Sequence, residues 1–217
     1  MNLTEAMRCR HSVRQYENRP IEQPILQELQ AEVDACNRDG QLHIQLVTNE
    51  PKAFDGFMAH YGKFSGVTSY FALVGPRGKE LDERCGYYGE RLVLKAQQLG
   101  LNTCWVAMTY SKIPGTFQID AGEKLTVVIA LGYGKSQGEP HKSKPASAVS
   151  NADSSTPDWF RNGVEAALLA PTAMNQQKFH FTYLDGTVTA KAGMGFYSKI
   201  DLGIAKYHFE LGSGKKL

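Results

Sequence analysis

The chain has 217 residues, 42% hydrophobic and 21% charged, with a formal net charge of +2. That is enough polypeptide for one compact unit with its own core or two small ones, and it lacks the polar bias of a disordered chain. A charge so near zero carries no basic excess, so nucleic acid is not an expected partner.

The four cysteines, Cys9, Cys36, Cys85 and Cys104, are scattered and form no CxxC pair. That suits a reduced compartment and argues against a disulfide framework or a zinc cluster. Met1 to Cys9 leads into charge rather than an apolar segment, and the longest apolar run, LTVVIAL at 125–131, is far shorter than a bilayer requires. The expectation is a cytoplasmic protein with no signal peptide and no membrane partner.

In chain order, Leu3, Ala6 and Met7 recur at helical spacing, and this first helix should end near Arg10. Residues 24–36 place Ile25, Leu26, Leu29, Val33 and Cys36 on one helical face behind Pro24. QLHIQLV at 41–47 alternates like a half-buried strand; a glycine-spotted stretch at 54–67 then leads to a strand at 69–75. The longest helix is expected at 82–100, with Gly100 as its C-terminal cap. Gly86 and Gly89 within it each cost roughly 1 kcal/mol relative to alanine, so a ligand or another backbone should approach there.

LGLNTCWVAMTY at 99–110 follows that helix and reads either as core packing of Trp105 and Val106 or as backbone N–H groups offered to a ligand. A buried strand is expected at 124–134, a long loop at 134–157 and a helix at 158–170 stopped by Pro171. Asp185-Gly186 between β-rich runs predicts a hairpin over 178–193, and a final helix covers 201–212. Without a regular βαβ alternation, the fold class is α+β: a largely antiparallel sheet flanked by helices. One domain over 1–217 is expected, with an internal echo of a helix–strand unit at 24–47 and 157–184.

The chemistry concentrates in two places. RCRHSVRQY at 8–16 crowds Arg8, Arg10, His11, Ser12 and Arg14. This is either a solvated turn or an anion site in which guanidinium groups and a hydroxyl grip one ligand. Arg10, Ser12 and Arg14 alternate, so in an extended segment they would face the same way. APTAMNQQKF at 170–179 is either a plain helix-to-strand turn or a loop offering Thr172, Asn175 and Gln177 to a planar ligand. GYGKS at 132–136 fails as a P-loop because Ile129 stands where glycine is required. The histidines show neither helical pairing nor cysteine partners, so no metal is expected.

Taken together, RCRHSVRQYENRPI (8–21), GERLVLKAQQLGLNTCWV (89–106), LGYGKSQGEPHKSKP (131–145) and APTAMNQQKF resemble the motifs of the nitroreductase family of flavin-dependent oxidoreductases. The late position of the proline–asparagine loop, together with DLGIAKYHFELG (201–212), is similar to the Thermotoga-type subgroup. The resemblance implies FMN as cofactor. Arg10, His11, Ser12 and Arg14 would hold its phosphate and the polar edge of its ring, and Lys142 and Lys144 would add charge at the phosphate.

Pro171, Thr172, Met174, Asn175 and Gln177 would border the isoalloxazine, from the same chain or a second subunit. The backbone of Trp105, Val106, Ala107 and Met108 would approach flavin N5. A homodimer is implied, with ping-pong transfer from NAD(P)H to a nitroaromatic, quinone or similar acceptor. The alternative is a flavin-binding protein without turnover, serving as sensor, store or scaffold.

Overall fold

The apolar run at 125–131 becomes the middle of a sheet. In a computed structural model, which describes residues 1–217, it lies in β4 (Glu123–Gly132), between β2 (Ser69–Pro76) and β3 (Asn102–Val106). β1 (Gln45–Val47) extends the edge beyond β2, and every pairing is antiparallel. The order is β1-β2-β4-β3.

Both faces of this sheet are covered. Phe71, Leu73, Val127, Ile129 and Leu131 enter one core, while Tyr70, Ala72, Val74, Val128 and Ala130 enter another. Two buried faces explain a strand that reads as continuously apolar instead of alternating. Leu73 pairs with Val127 and Val74 with Leu125, leaving Thr126 as the extra residue of a bulge. Its Oγ1 donates to the Leu73 carbonyl at 3.1 Å, and Leu125 is thereby turned to the opposite core from Val127.

The first core is closed by helices. α4 (Leu81–Gln98) runs across it, with α1 (Leu3–Cys9), α2 (Gln23–Gly40) and α6 (Ser198–Ser213) packed on α4. The closest approach is α4 to α6. A Cβ on Gly86 would lie 2.1 Å from the Ile200 carbonyl oxygen, and one on Gly203 would lie 2.0 Å from that of Glu83. Gly89 leaves room for Trp105, whose ring would meet a Cβ at 2.4 Å. The two weak helix formers of α4 are therefore explained by a neighbouring backbone and an indole.

Beyond α6 lie α5 (Asp158–Ala167) and the hairpin β5 (Phe179–Leu184)–β6 (Thr187–Ala192). Phe181 stacks on Phe209 of α6 with ring centroids 4.6 Å apart. Asp185 and Gly186 adopt φ of 47° and 83°, the two positive values a type I′ turn demands. Residues 24–47 thus carry α2 and β1, and 157–184 carry α5 and β5, in different sheets.

Three expectations shift. The strand read over 41–47 narrows to β1, because the Asn37 side chain captures the Ile44 N–H at 2.6 Å and its carbonyl at 2.9 Å. The stretch read for its core side chains contains a strand, β3; NTCWV is too short and mixed to show a period. The glycine-spotted stretch holds a short helix, α3 (Phe57–Tyr61).

Gly86→Ala and Gly203→Ala should each lose about 3 kcal/mol in urea unfolding, the upper end of overpacking, because the obstacle is backbone. Gly78→Ala, with nothing within 4 Å of the added carbon, is the matched control.

Candidate functional site

Arg10 ends α1 as its C-cap (φ −69°, ψ 118°), and the chain then runs extended along β3. Val13 N–H donates to the Thr103 carbonyl at 3.0 Å and Tyr16 N–H to Ser65 at 2.9 Å. Val13 and Tyr16 are buried, whereas Ser12 and Arg14 face outward on the other side.

Arg10 does not share that face. Only 3% exposed, it points inward, with Nε 3.8 Å from Glu90 Oε1 and no hydrogen-bond partner of its own. The two-residue period holds for Ser12 and Arg14 but cannot extend back to a residue still belonging to a helix end. Burial presses the Arg10 pKa down, opposed by Glu90.

Glu90 is the centre of a buried network. It accepts from Trp105 Nε1 at 3.0 Å and lies 2.8 Å from His208 Nε2, and both Glu90 and His208 are fully buried. His208 Nδ1 lies 3.2 Å from the Ala166 carbonyl, which can only accept, so Nδ1 carries a hydrogen.

A cavity of about 520 Å³ opens between this N-terminal segment, the end of β3, the turn at 171–174 and the start of α6. Ser12, Arg14, Trp105, Val106, Ala107, Met108, Pro171, Thr172 and Met174 all line it, so two motifs from opposite ends of one chain meet there. β3 ends at Val106, and Ala107 and Met108 leave the ladder at the cavity edge. Met108, Met174 and Phe196 form an exposed rim.

Cys104, Val127, Ala173, Phe196, Tyr197, Ile200, Asp201 and Ile204 complete the lining without having been singled out in the sequence. Of these only Asp201, the one acid in the first turn of α6, offered a signal.

The remaining nominated residues lie outside the lining. A Cβ on Gly138 would lie 2.8 Å from His11 Cβ, so the loop after β4 packs on His11. His141 Nε2 meets the Leu168 carbonyl at 2.9 Å. Burial, with Arg10 adding to it, lowers the pKa of both imidazoles.

Lys144 and Lys142 are tied to the late turn. Lys144 Nζ donates to the Gln176 carbonyl at 2.7 Å. Asn175 Nδ2 and Gln177 Nε2 donate to the Lys142 carbonyl at 2.8 and 2.9 Å. Asn175 and Gln177 thus face this loop and not the cavity.

His43, Asp120 and Glu123 also bring ligand atoms within 4.8 Å of one another. Hydrogen bonds from His43 Nδ1 and the Asp120 N–H to Glu123 account for that closeness. No helix is long and apolar enough to cross a membrane.

The family model described as "Putative TM nitroreductase" matches residues 2–213. The chain belongs to this nitroreductase family. A structure described as a putative nitroreductase from Thermotoga maritima MSB8 superposes with a TM-score of 0.67 at 23% identity, covering 98% of this chain and 83% of that one.

A putative NADH dehydrogenase/NAD(P)H nitroreductase from Parabacteroides distasonis gives 0.54 at 21% identity, covering 69% of this chain and 97% of its own. A putative nitroreductase in complex with FMN from Desulfovibrio desulfuricans gives 0.54 at 14%, covering 72% and 99%. These likenesses establish the nitroreductase fold. No curated protein matches the sequence.

Replacing Glu90 by leucine leaves Arg10 buried without its carboxylate and should lower unfolding stability by about 3–5 kcal/mol in urea titration. Glu90→Gln also removes the charge but retains an acceptor for Trp105, so it should lose slightly less than the leucine variant; a near-neutral Glu90→Gln would contradict the charge argument.

Proposed function

We propose that this nitroreductase-family protein is an FMN-dependent oxidoreductase. It takes electrons from NAD(P)H and passes them to a nitroaromatic, quinone or similar acceptor in two half-reactions at one site. The observation that carries this reading is the single cavity in which Ser12 and Arg14 meet Trp105–Met108 and Pro171–Met174. The FMN named for the Desulfovibrio relative agrees with it.

The residues present fit FMN. A planar, largely apolar ring suits a cavity with twelve hydrophobic residues among seventeen, and its size falls within the range of about 300–1,000 Å³ usual for ligand pockets. A phosphate suits the N-terminal segment beside the cavity. There the buried Arg10 Nε lacks a partner, and His11 and His141 stand close enough to Arg10 for its charge to lower their pKa. His11 and Ser12 would hold the phosphate with exposed Lys142, backed by the charge of buried Arg10, while Lys144 fixes the loop that carries Lys142.

When bound, FMN supplies a ring that accepts hydride at N5 and yields electrons to an acceptor. The chain's own part is electrostatic and steric. Arg14 sets a fixed positive charge against the polar edge of a flat ligand, where it opposes accumulating negative charge. The segment Trp105–Met108 and the turn at 171–174 wall the ligand and exclude water, and the exposed Met108, Met174 and Phe196 give the acceptor an adaptable apolar rim. No side chain of this site is asked to act as nucleophile.

Titration of FMN fluorescence should show saturable quenching, and Arg14→Ala should weaken it by the loss of a charge-assisted contact, about 1.5–3 kcal/mol or roughly tenfold to a hundredfold. NAD(P)H oxidation with nitrofurazone or menadione should exceed the free-flavin rate. Quenching without turnover would reduce the protein to a flavin carrier, and absence of quenching would overturn the proposal.

A further inference from the structure

The turn that walls the cavity on its late side is held in a conformation its residues do not favour. Met174, Asn175 and Gln177 are all left-handed, with φ of 50°, 53° and 45°, and each costs roughly 1–2 kcal/mol relative to its preferred region. Such a turn persists only where its surroundings over-determine it.

Gln177 is secured by Thr172 Oγ1, Lys142 and Lys144 on one side. On the cavity side the restraint is Asp201, in the first turn of α6. Its Oδ1 accepts the Ala173 N–H at 2.9 Å and its Oδ2 accepts Gln176 Nε2 at 2.7 Å. Gln176 Nε2 also donates to the Phe196 carbonyl at 2.8 Å, so one amide joins the turn, the rim and the acid. Asp201 is 2% exposed and lines the cavity.

We propose that Asp201 is the positioning residue of the cavity's outer wall: its ionised carboxylate holds Ala173 and Gln176 in place for a flat ring ligand, and protonation releases them. The choice of a flavin ring rests on the function proposed above; the positioning role does not. A carboxyl group that carries a proton on one oxygen has lost the stronger acceptor there, so the neutral form cannot keep both charge-assisted bonds.

No counter-charge among the neighbours takes over this task. Arg14 and Cys104 face the cavity from the N-terminal segment and β3. On α6, Lys199 donates to the Lys79 carbonyl and Lys206 pairs with Glu83 of α4. Tyr197 precedes the helix, and Lys178 lies beside Gly195. The turn from 172 to 177 carries no charge.

Burial pushes the Asp201 carboxyl up to about 6, against the pull of its two hydrogen bonds. Because the folded value lies above the ordinary 3.8, the folded protein binds this proton more tightly than the unfolded chain does. The group's contribution to stability is therefore best at low pH and is lost as pH rises through that window. Asp201→Asn removes a buried charge at neutral pH and should fold at least as well as the parent, which makes it a usable test.

The experiment is hydrogen exchange by mass spectrometry on the full chain, following the peptide across the 172–177 turn and corrected for intrinsic rates. Between about pH 7.5 and about pH 5 the parent should lose protection there by about tenfold or more, while Asp201→Asn should show no such step. Riboflavin quenching is measured alongside. Lacking the phosphate, it is blind to His11 and His141 at the other end; its affinity should fall severalfold at the acid pH in the parent only.

Equal protection at both pH values in the parent overturns the role assigned to Asp201. Protection that follows pH while riboflavin binds at neither supports that role and removes the flavin ring as the ligand.

Discussion

The Glu90 carboxylate, withdrawn from water inside α4, determines how the two ends of this chain meet. A carboxyl group in an apolar interior is tolerated only when hydrogen bonds and opposite charge surround it. Arg10 arrives from the end of α1, Trp105 from β3 and His208 from α6. Each of those elements, or the segment directly following it, supplies a wall of the cavity. Satisfying one buried group therefore fixes the mutual positions of the basic run, the strand end and the last helix. The tight glycine contacts between α4 and α6 act in the same direction, since backbones that approach so closely have little freedom to slide.

The division of labour within the basic run follows from that constraint. Arg10 turns to the interior and faces Glu90. Ser12 and Arg14, on the outward side of an extended segment, are free for a ligand. A run that looks uniform in charge is thus two devices in series, one anchoring the fold and one facing the cavity.

Much of this was legible in the residues. The β4 run, the α4 periodicity and the Asp185-Gly186 turn are local signals, and each became the element its chemistry suggested. The motifs around Ser12, Trp105 and Pro171 were also visible, because unusual residue types cluster there. What escaped notice depends on partners remote in sequence. β3 exists because β4 offers it a ladder, not because NTCWV alternates. The inward turn of Arg10 depends on Glu90, eighty residues later, and nothing near either residue announces the other. Asn175 and Gln177, read as ligand-facing amides, are occupied by the Lys142 carbonyl, a contact that no local pattern could have shown. Phe196, Tyr197 and Ile204 look like ordinary helix-end and core residues until the cavity is seen.

As proposed above, the cavity assembled around that buried carboxylate takes the flavin. A crystal structure of the protein grown with FMN tests it most directly. The ring should lie between Trp105–Met108 and Pro171–Met174 of the same chain, with the phosphate toward Arg10 and His11. A ring closed over by the turn of a second subunit, or a phosphate remote from Arg10, would contradict the account.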